Sequence, residues 1–208
     1  MYVQYGCGPF SAPQGWENFD SPLTLRWEKI PIVGKLWTKN SYRYPPNVRI
    51  GDIVKGLPIA EATCRGIYAS HVLEHLTLAE FKVALDNTRK LMVPGGIFRA
   101  IVPDLEWATR EYLKRLESGD KEANSFLMTE TYLGYKTRRT GIRGILYEHL
   151  NTSKHMWMWD TQSLSSALLN HGFRSAHPCK FGDCEDPMFA AVEDAARFEH
   201  AVAIEARV

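Results

Sequence analysis

The strongest constraint on this chain lies near its start, where an apolar Tyr2-Val3 runs into Gly6-Cys7-Gly8 and Asp20 closes a second short apolar segment. A strand ending in paired glycines, with an acid at the end of the next strand, is how a doubly wound α/β sheet begins. Such a sheet holds a nucleotide-like ligand at the carboxyl ends of its strands. The glycines permit a tight turn and close backbone approach, and an ionised carboxylate accepts two hydrogen bonds from a ribose diol. A dinucleotide site would want a third glycine where Ser11 stands and a helix N-terminus for the pyrophosphate. Here Pro9 follows, and only about a dozen residues separate Gly8 from Asp20. Dinucleotides are disfavoured, and a ligand without a pyrophosphate fits better.

Strand-like and helix-like segments alternate along the rest of the chain, which favours an α/β sheet over separate α and β parts. Strands are expected at 2–5, 16–19, 48–50, 66–70, 97–102, 173–177 and 201–206. Thr77-Leu78-Ala79-Glu80 reads as a capping box. Phe81, Ala84, Leu85, Thr88, Leu91 and Met92 recur after it at helical spacing, and Pro94-Gly95-Gly96 stops that helix. A helix from Asp104 is expected to keep Leu105, Tyr112, Leu113 and Leu116 on one side and to end by Ser118-Gly119. Residues 121–150 read as helical in pieces. A helix capped by Asp160 or Thr161 faces Leu164, Ala167 and Leu168 inward and stops at Gly172. Nothing reads as a linker or repeat, so the expectation is one domain over 1–208.

Two stretches break this rhythm and are expected to act as substrate or lid insertions, around 21–47 and 121–159. The first mixes Trp27, Trp37, Tyr42 and Tyr44 with Arg26, Lys29, Lys35, Lys39 and Arg43. The second carries Lys136, Arg138, Arg139 and Arg143, then His149, His155, Trp157 and Trp159. Long excursions in compact domains are often binding loops, although a solvated face over an aromatic minicore explains the same pattern. Aromatic and basic residues together suit a small acceptor that is flat or sugar-like, or anionic.

A formal net charge of +1 argues against a general nucleic-acid coat. No apolar run nears the ~20 residues of a membrane helix, and no signal-peptide pattern opens the chain. A cytoplasmic protein is expected. Cys7, Cys64, Cys179 and Cys184 fit neither a disulfide framework nor a zinc spacing and read as free thiols.

Several segments occur together in order: Gly6-Cys7-Gly8, Gly15 to Asp20, Gly51 to Pro58, Tyr68-Ala69-Ser70-His71-Val72-Leu73-Glu74-His75-Leu76, and Leu91 to Val102. As a set they resemble the class I S-adenosylmethionine-dependent methyltransferases, in particular the methyltransferase type 11 group. Trp159-Asp160, Gly172-Phe173 and Phe181-Gly182-Asp183 resemble members that modify glycans or other small molecules. The resemblance implies a Rossmann-like seven-stranded sheet, mostly parallel with an antiparallel last strand and flanked by helices. It also implies S-adenosylmethionine (SAM) as cofactor and S-adenosylhomocysteine (SAH) as product. Carried onto this sequence, it puts Gly6, Cys7 and Gly8 under the methionine and ribose. Asp20 then grips the ribose hydroxyls, Asp52 and Ile53 flank the adenine, and Ser70 and His71 line the methionine end. Asp20 and Asp52 are also turn-forming residues in their own right. Arg65-Gly66 stands where the group often has Phe-Asp.

Methyl transfer from a sulfonium is an in-line displacement that needs alignment more than a protein nucleophile. A hydroxyl acceptor must still lose a proton, and histidine is the natural base near neutral pH. His155, ahead of His149, is the expected catalytic residue, while His75 reads as packing or capping. The Asn/Asp-Pro-Pro-Tyr/Phe tetrad of base N-methylating enzymes is replaced by Ser70-His71-Val72-Leu73. No cysteine near the fourth or fifth strand is placed for cytosine C5 chemistry. The expected activity is O-methylation of a sugar, nucleotide-sugar or glycan hydroxyl without a metal. A methyltransferase-like scaffold without catalysis, and an RNA or protein methyltransferase, are the alternatives.

Overall fold

The computed structural model describes residues 1–9, 11–31, 43–134 and 154–208. Seven strands form one sheet: β1 (Tyr2–Tyr5), β2 (Glu17–Asp20), β3 (Val48–Ile50), β4 (Cys64–Ser70), β5 (Met92–Pro103), β6 (Ser175–Pro178) and β7 (Ala201–Arg207). Their order is β3-β2-β1-β4-β5-β7-β6. The first five run parallel, and β7 is antiparallel to both of its neighbours. Going outward from the centre, chain order runs one way through β1, β2 and β3 and the other way through β4 and β5. The gap between β1 and β4 is therefore the switch point at which such sheets bind ligands.

Side chains alternate across β4, β5 and β7. Ile67, Ala69, Phe98, Ala100, Val102, Val202 and Ile204 join the larger core. Helices α2 (Leu78–Leu91) and α5 (Thr161–Asn170) supply its other side through Phe81, Ala84, Leu85, Leu91, Leu164 and Leu168. The Thr77–Glu80 capping box is present: the Glu80 N–H donates to Thr77 Oγ1 at 3.3 Å and the Thr77 N–H to Glu80 Oε2 at 3.0 Å. Asp160 caps α5 likewise.

The opposite face carries Tyr68, Ile97, Ile101 and Ala203. Between Gly8 and Glu17 the described residues form no helix. A 3₁₀ turn at Pro187–Ala191 covers that face instead. Its buried Phe189 packs edge-on against Trp16 at 5.3 Å, Trp16 Nε1 donates to the Met188 carbonyl, and Tyr2 donates to Asp186. Gly66 suits this arrangement, because a Cβ there would lie 3.0 Å from the Phe189 ring.

Some expectations shift. β5 begins at Met92, paired with Cys64 across a bulge, so Pro94-Gly95-Gly96 lies within the strand and α2 ends at Leu91. β6 starts two residues late because Phe173 still turns into the core. Helix α3 (Leu105–Glu117) buries only Ala108 and leaves Leu113 and Leu116 exposed. It packs instead on α4 (Ala123–Glu130), through Trp107 against Phe126 and Arg115 over the Phe126 ring. The four cysteines are free, as expected. No helix among the described residues is long and apolar enough to cross a membrane. Trp37, Tyr42, Lys35, Lys39, the 136–143 basic run and His149 lie outside the described residues.

Candidate active site

Two cavities open along the carboxyl ends of the parallel strands. The first, of about 550 Å³, is bounded by Gly6 and Gly8 after β1, Asp20 after β2, Asp52 and Ile53 after β3, and His71 after β4. Gly6 has φ +67°, and a Cβ there would lie 2.2 Å from Val72 Cγ2, so both backbone and space require glycine. Gly8 (φ +63°) lets its N–H turn back to Asp20 Oδ2 at 2.9 Å. Asp20 Oδ1 accepts from the Ser21 N–H at 2.8 Å, and the Tyr44 hydroxyl donates to the same carboxylate. Burial raises the Asp20 pKa, against these three donors. With two lone pairs on each oxygen, the carboxylate can still accept from a diol in the cavity. Asp52 caps its own turn through the Val54 N–H and pairs with Lys55.

The second cavity, of about 440 Å³, lies beyond His71 and His75, which line both. Trp107 and His200 stack there at 3.8 Å and 11°. Three residues around it, His71, Tyr132 and His200, hold positive φ between 52° and 54°. Strain of this kind persists only where surrounding structure enforces it. In the 3₁₀ turn Leu73–His75, Glu74 is fully buried. Its backbone carbonyl accepts from the Met156 and Trp157 N–H groups, which brings His155 beside it. The His75 and His155 rings sit 5.1 Å apart. Burial lowers the pKa values of His71 and His75, and takes His155 down to about 4 with help from His75. Burial pushes the Glu74 carboxyl up to about 8.

No protein-family model and no curated protein matches the chain. Solved structures do match. A SAM-dependent methyltransferase from Thermotoga maritima is 15% identical, with 100% of this chain and 81% of that one covered at a TM-score of 0.51. One from Archaeoglobus fulgidus is 14% identical, with 100% and 85% covered at 0.50. PigF, solved with SAH, is 14% identical with a TM-score of 0.52, and this chain covers 50% of its length. The fold is that of the class I SAM-dependent methyltransferases.

Within this methyltransferase fold, Gly6, Gly8, Asp20, Asp52, Ile53 and His71 surround one cavity. Cys7 and Ser70 do not join them; they line a separate space of about 190 Å³ on the other side of the β1 end. For Ser70 the reason is the two-residue period of β4, which sends neighbours to opposite faces, whereas Gly6 itself lines both spaces. His155 lies in the second cavity. The sequence reading missed Tyr44 and Thr24 beside Asp20, and Glu74, Trp107 and His200 in the second cavity. A buried acid next to two histidines in His71-Val72-Leu73-Glu74-His75 was the available signal for Glu74.

Proposed function

We propose that the chain is a SAM-dependent methyltransferase acting on the hydroxyl of a small polyol, a sugar or glycan unit. One observation carries this reading: a cavity holding the buried Asp20 carboxylate adjoins a second, aromatic and polar cavity, with His71 and His75 common to both. A sulfonium methyl presented at that junction faces an acceptor in the second space. With SAM bound there, the acceptor oxygen would attack the methyl carbon, the carbon–sulfur bond would break with its electron pair staying on sulfur, and the hydroxyl proton would pass to water. Alignment in a shielded site supplies most of the rate.

Charge narrows the acceptor. The described lining of the second cavity carries Asp104, Glu130 and Glu199 against Arg197, while burial holds Glu74 towards its neutral form. This favours an uncharged polyol over an anion; the basic run behind the anionic expectation lies outside the described residues. His155, with a pKa near 4, is uncharged at neutral pH and a weak base. Isothermal titration with SAH tests the reading. Micromolar binding that Asp20→Ala weakens about 100-fold, the worth of one strong hydrogen bond to a charged group, supports it. Absence of binding by the folded protein replaces it with the scaffold reading.

A further inference from the structure

Glu74 is fully buried, and among the described residues neither of its carboxylate oxygens has a hydrogen-bond partner. The groups that face it are imidazole nitrogens, His71 Nδ1 at 3.5 Å and His75 Nε2 at 3.8 Å. Both rings commit their other nitrogen to a backbone carbonyl: His71 Nε2 to Arg197 at 3.0 Å, and His75 Nδ1 to Lys154 at 2.8 Å. A carbonyl only accepts, so those nitrogens carry the hydrogens, and the nitrogens facing Glu74 present bare lone pairs. His155 Nδ1, also buried, has no hydrogen-bond partner among the described residues. Lone pairs thus converge from the Glu74 carboxyl and neighbouring imidazoles, and among the described residues no other side chain donates to the Glu74 oxygens or to His155 Nδ1. That arrangement is costly for a protein alone and is what a cation requires.

We propose that Glu74, His75 and His155 bind one divalent first-row transition-metal ion at the junction of the two cavities. One ligand atom from each lies within 4.8 Å of the others. Tetrahedral coordination at about 2.1 Å places ligands about 3.4 Å apart, so small side-chain rotations close the set. Two imidazoles and a carboxylate suit Zn²⁺, Co²⁺ or Fe²⁺ and leave coordination positions open. The His75 Nδ1–H···O=C bond is the outer-shell support that fixes a ligating tautomer. Asp104, Glu130 and Glu199 around the same cavity add negative potential. This departs from the expectation of no metal, which looked for clustered acids rather than one acid between histidines.

The role of the ion rests on the methyltransferase reading. An acceptor hydroxyl on an open position becomes more acidic. Its O–H bond breaks with the proton passing to water, and the oxygen takes the methyl as the carbon–sulfur electron pair returns to sulfur.

The test uses the full chain, stripped with EDTA and titrated with CoCl₂ by calorimetry and visible absorption. SAH is titrated in parallel. The expected result is one Co²⁺ per chain with d–d bands, weakened about 100-fold or more by Glu74→Gln and by His155→Ala. Circular dichroism checks folding, and His155→Ala stands if Glu74→Gln does not fold. No Co²⁺ binding, or equal binding by wild type and variants, overturns the site. SAH binding without Co²⁺ binding defeats the metal site alone; Co²⁺ binding without SAH binding supports the site and defeats the methyltransferase reading.

Discussion

Asp20 has a titration that bears directly on ligand binding. Burial raises its folded pKa above the ordinary value, and the Ser21 and Gly8 N–H groups and the Tyr44 hydroxyl only partly offset this. A raised carboxyl contributes to stability below its unfolded pKa and loses that contribution as pH rises through the folded pKa. Its ligand dependence has the opposite sense, since the ribose hydroxyls need the ionised form. SAH affinity is therefore expected to fall as pH drops through the raised Asp20 pKa, at a higher pH than an ordinary aspartate would give. Titration of SAH across acidic pH checks this, with Asp20→Asn as the flat control. Gly6 makes a separate prediction. A methyl at positive φ, 2.2 Å from Val72 Cγ2, has neither backbone nor space. Gly6→Ala is expected to cost about 2–4 kcal/mol in urea unfolding. That Gly6 and Asp20 meet at the strand ends was legible because glycine turns and acids close strands within a few residues of sequence. Cys7 and Ser70 were misplaced because a motif gives the turn but not the side of the strand.

At the level of elements, the decisive contact is one that no local pattern announces. Arg99 sits in the apolar run of β5 with its side chain fully buried, directly opposite Glu205 on β7. Its guanidinium reaches Asp183 at 2.8 Å, Glu193 at 2.8 Å and Glu205 at 3.0 Å, and donates to the Lys180 carbonyl at 2.7 Å. It therefore fastens the loop before the Pro187–Ala191 turn, and Glu193 just after that turn, to the face where the described residues between Gly8 and Glu17 form no helix. Arg99→Met is expected to lower stability by about 3–5 kcal/mol, because Glu193 stays buried with its charge unpaired. Chemical denaturation measures the loss, and proteolysis should begin near 180–195. Helices α2 and α5 were legible from caps and periodicity, which act within a few residues. Helix α3 was legible in its bounds, but its leucine stripe did not tell which side is buried, and only Ala108 is. The covering turn at Pro187–Ala191 was invisible, being too short for periodicity and held by residues far away in the chain.

Across the molecule, the binding reading has a thermodynamic consequence independent of any acceptor. The first cavity draws its walls from the ends of four strands and from Tyr44. A ligand filling it ties together segments that unfolding must separate, so SAH stabilises the native state by mass action. At about 100 times its Kd the gain is about 2.7 kcal/mol. For a chain of 208 residues that corresponds to a rise of about 5–10 °C in Tm. Scanning calorimetry with SAH checks the shift, and Asp20→Ala at the same SAH concentration should lose most of it while keeping its own cooperative transition. A wild-type chain that melts cooperatively at one temperature with and without SAH would show that the strand order persists here without the cofactor, and would direct the search to protein partners.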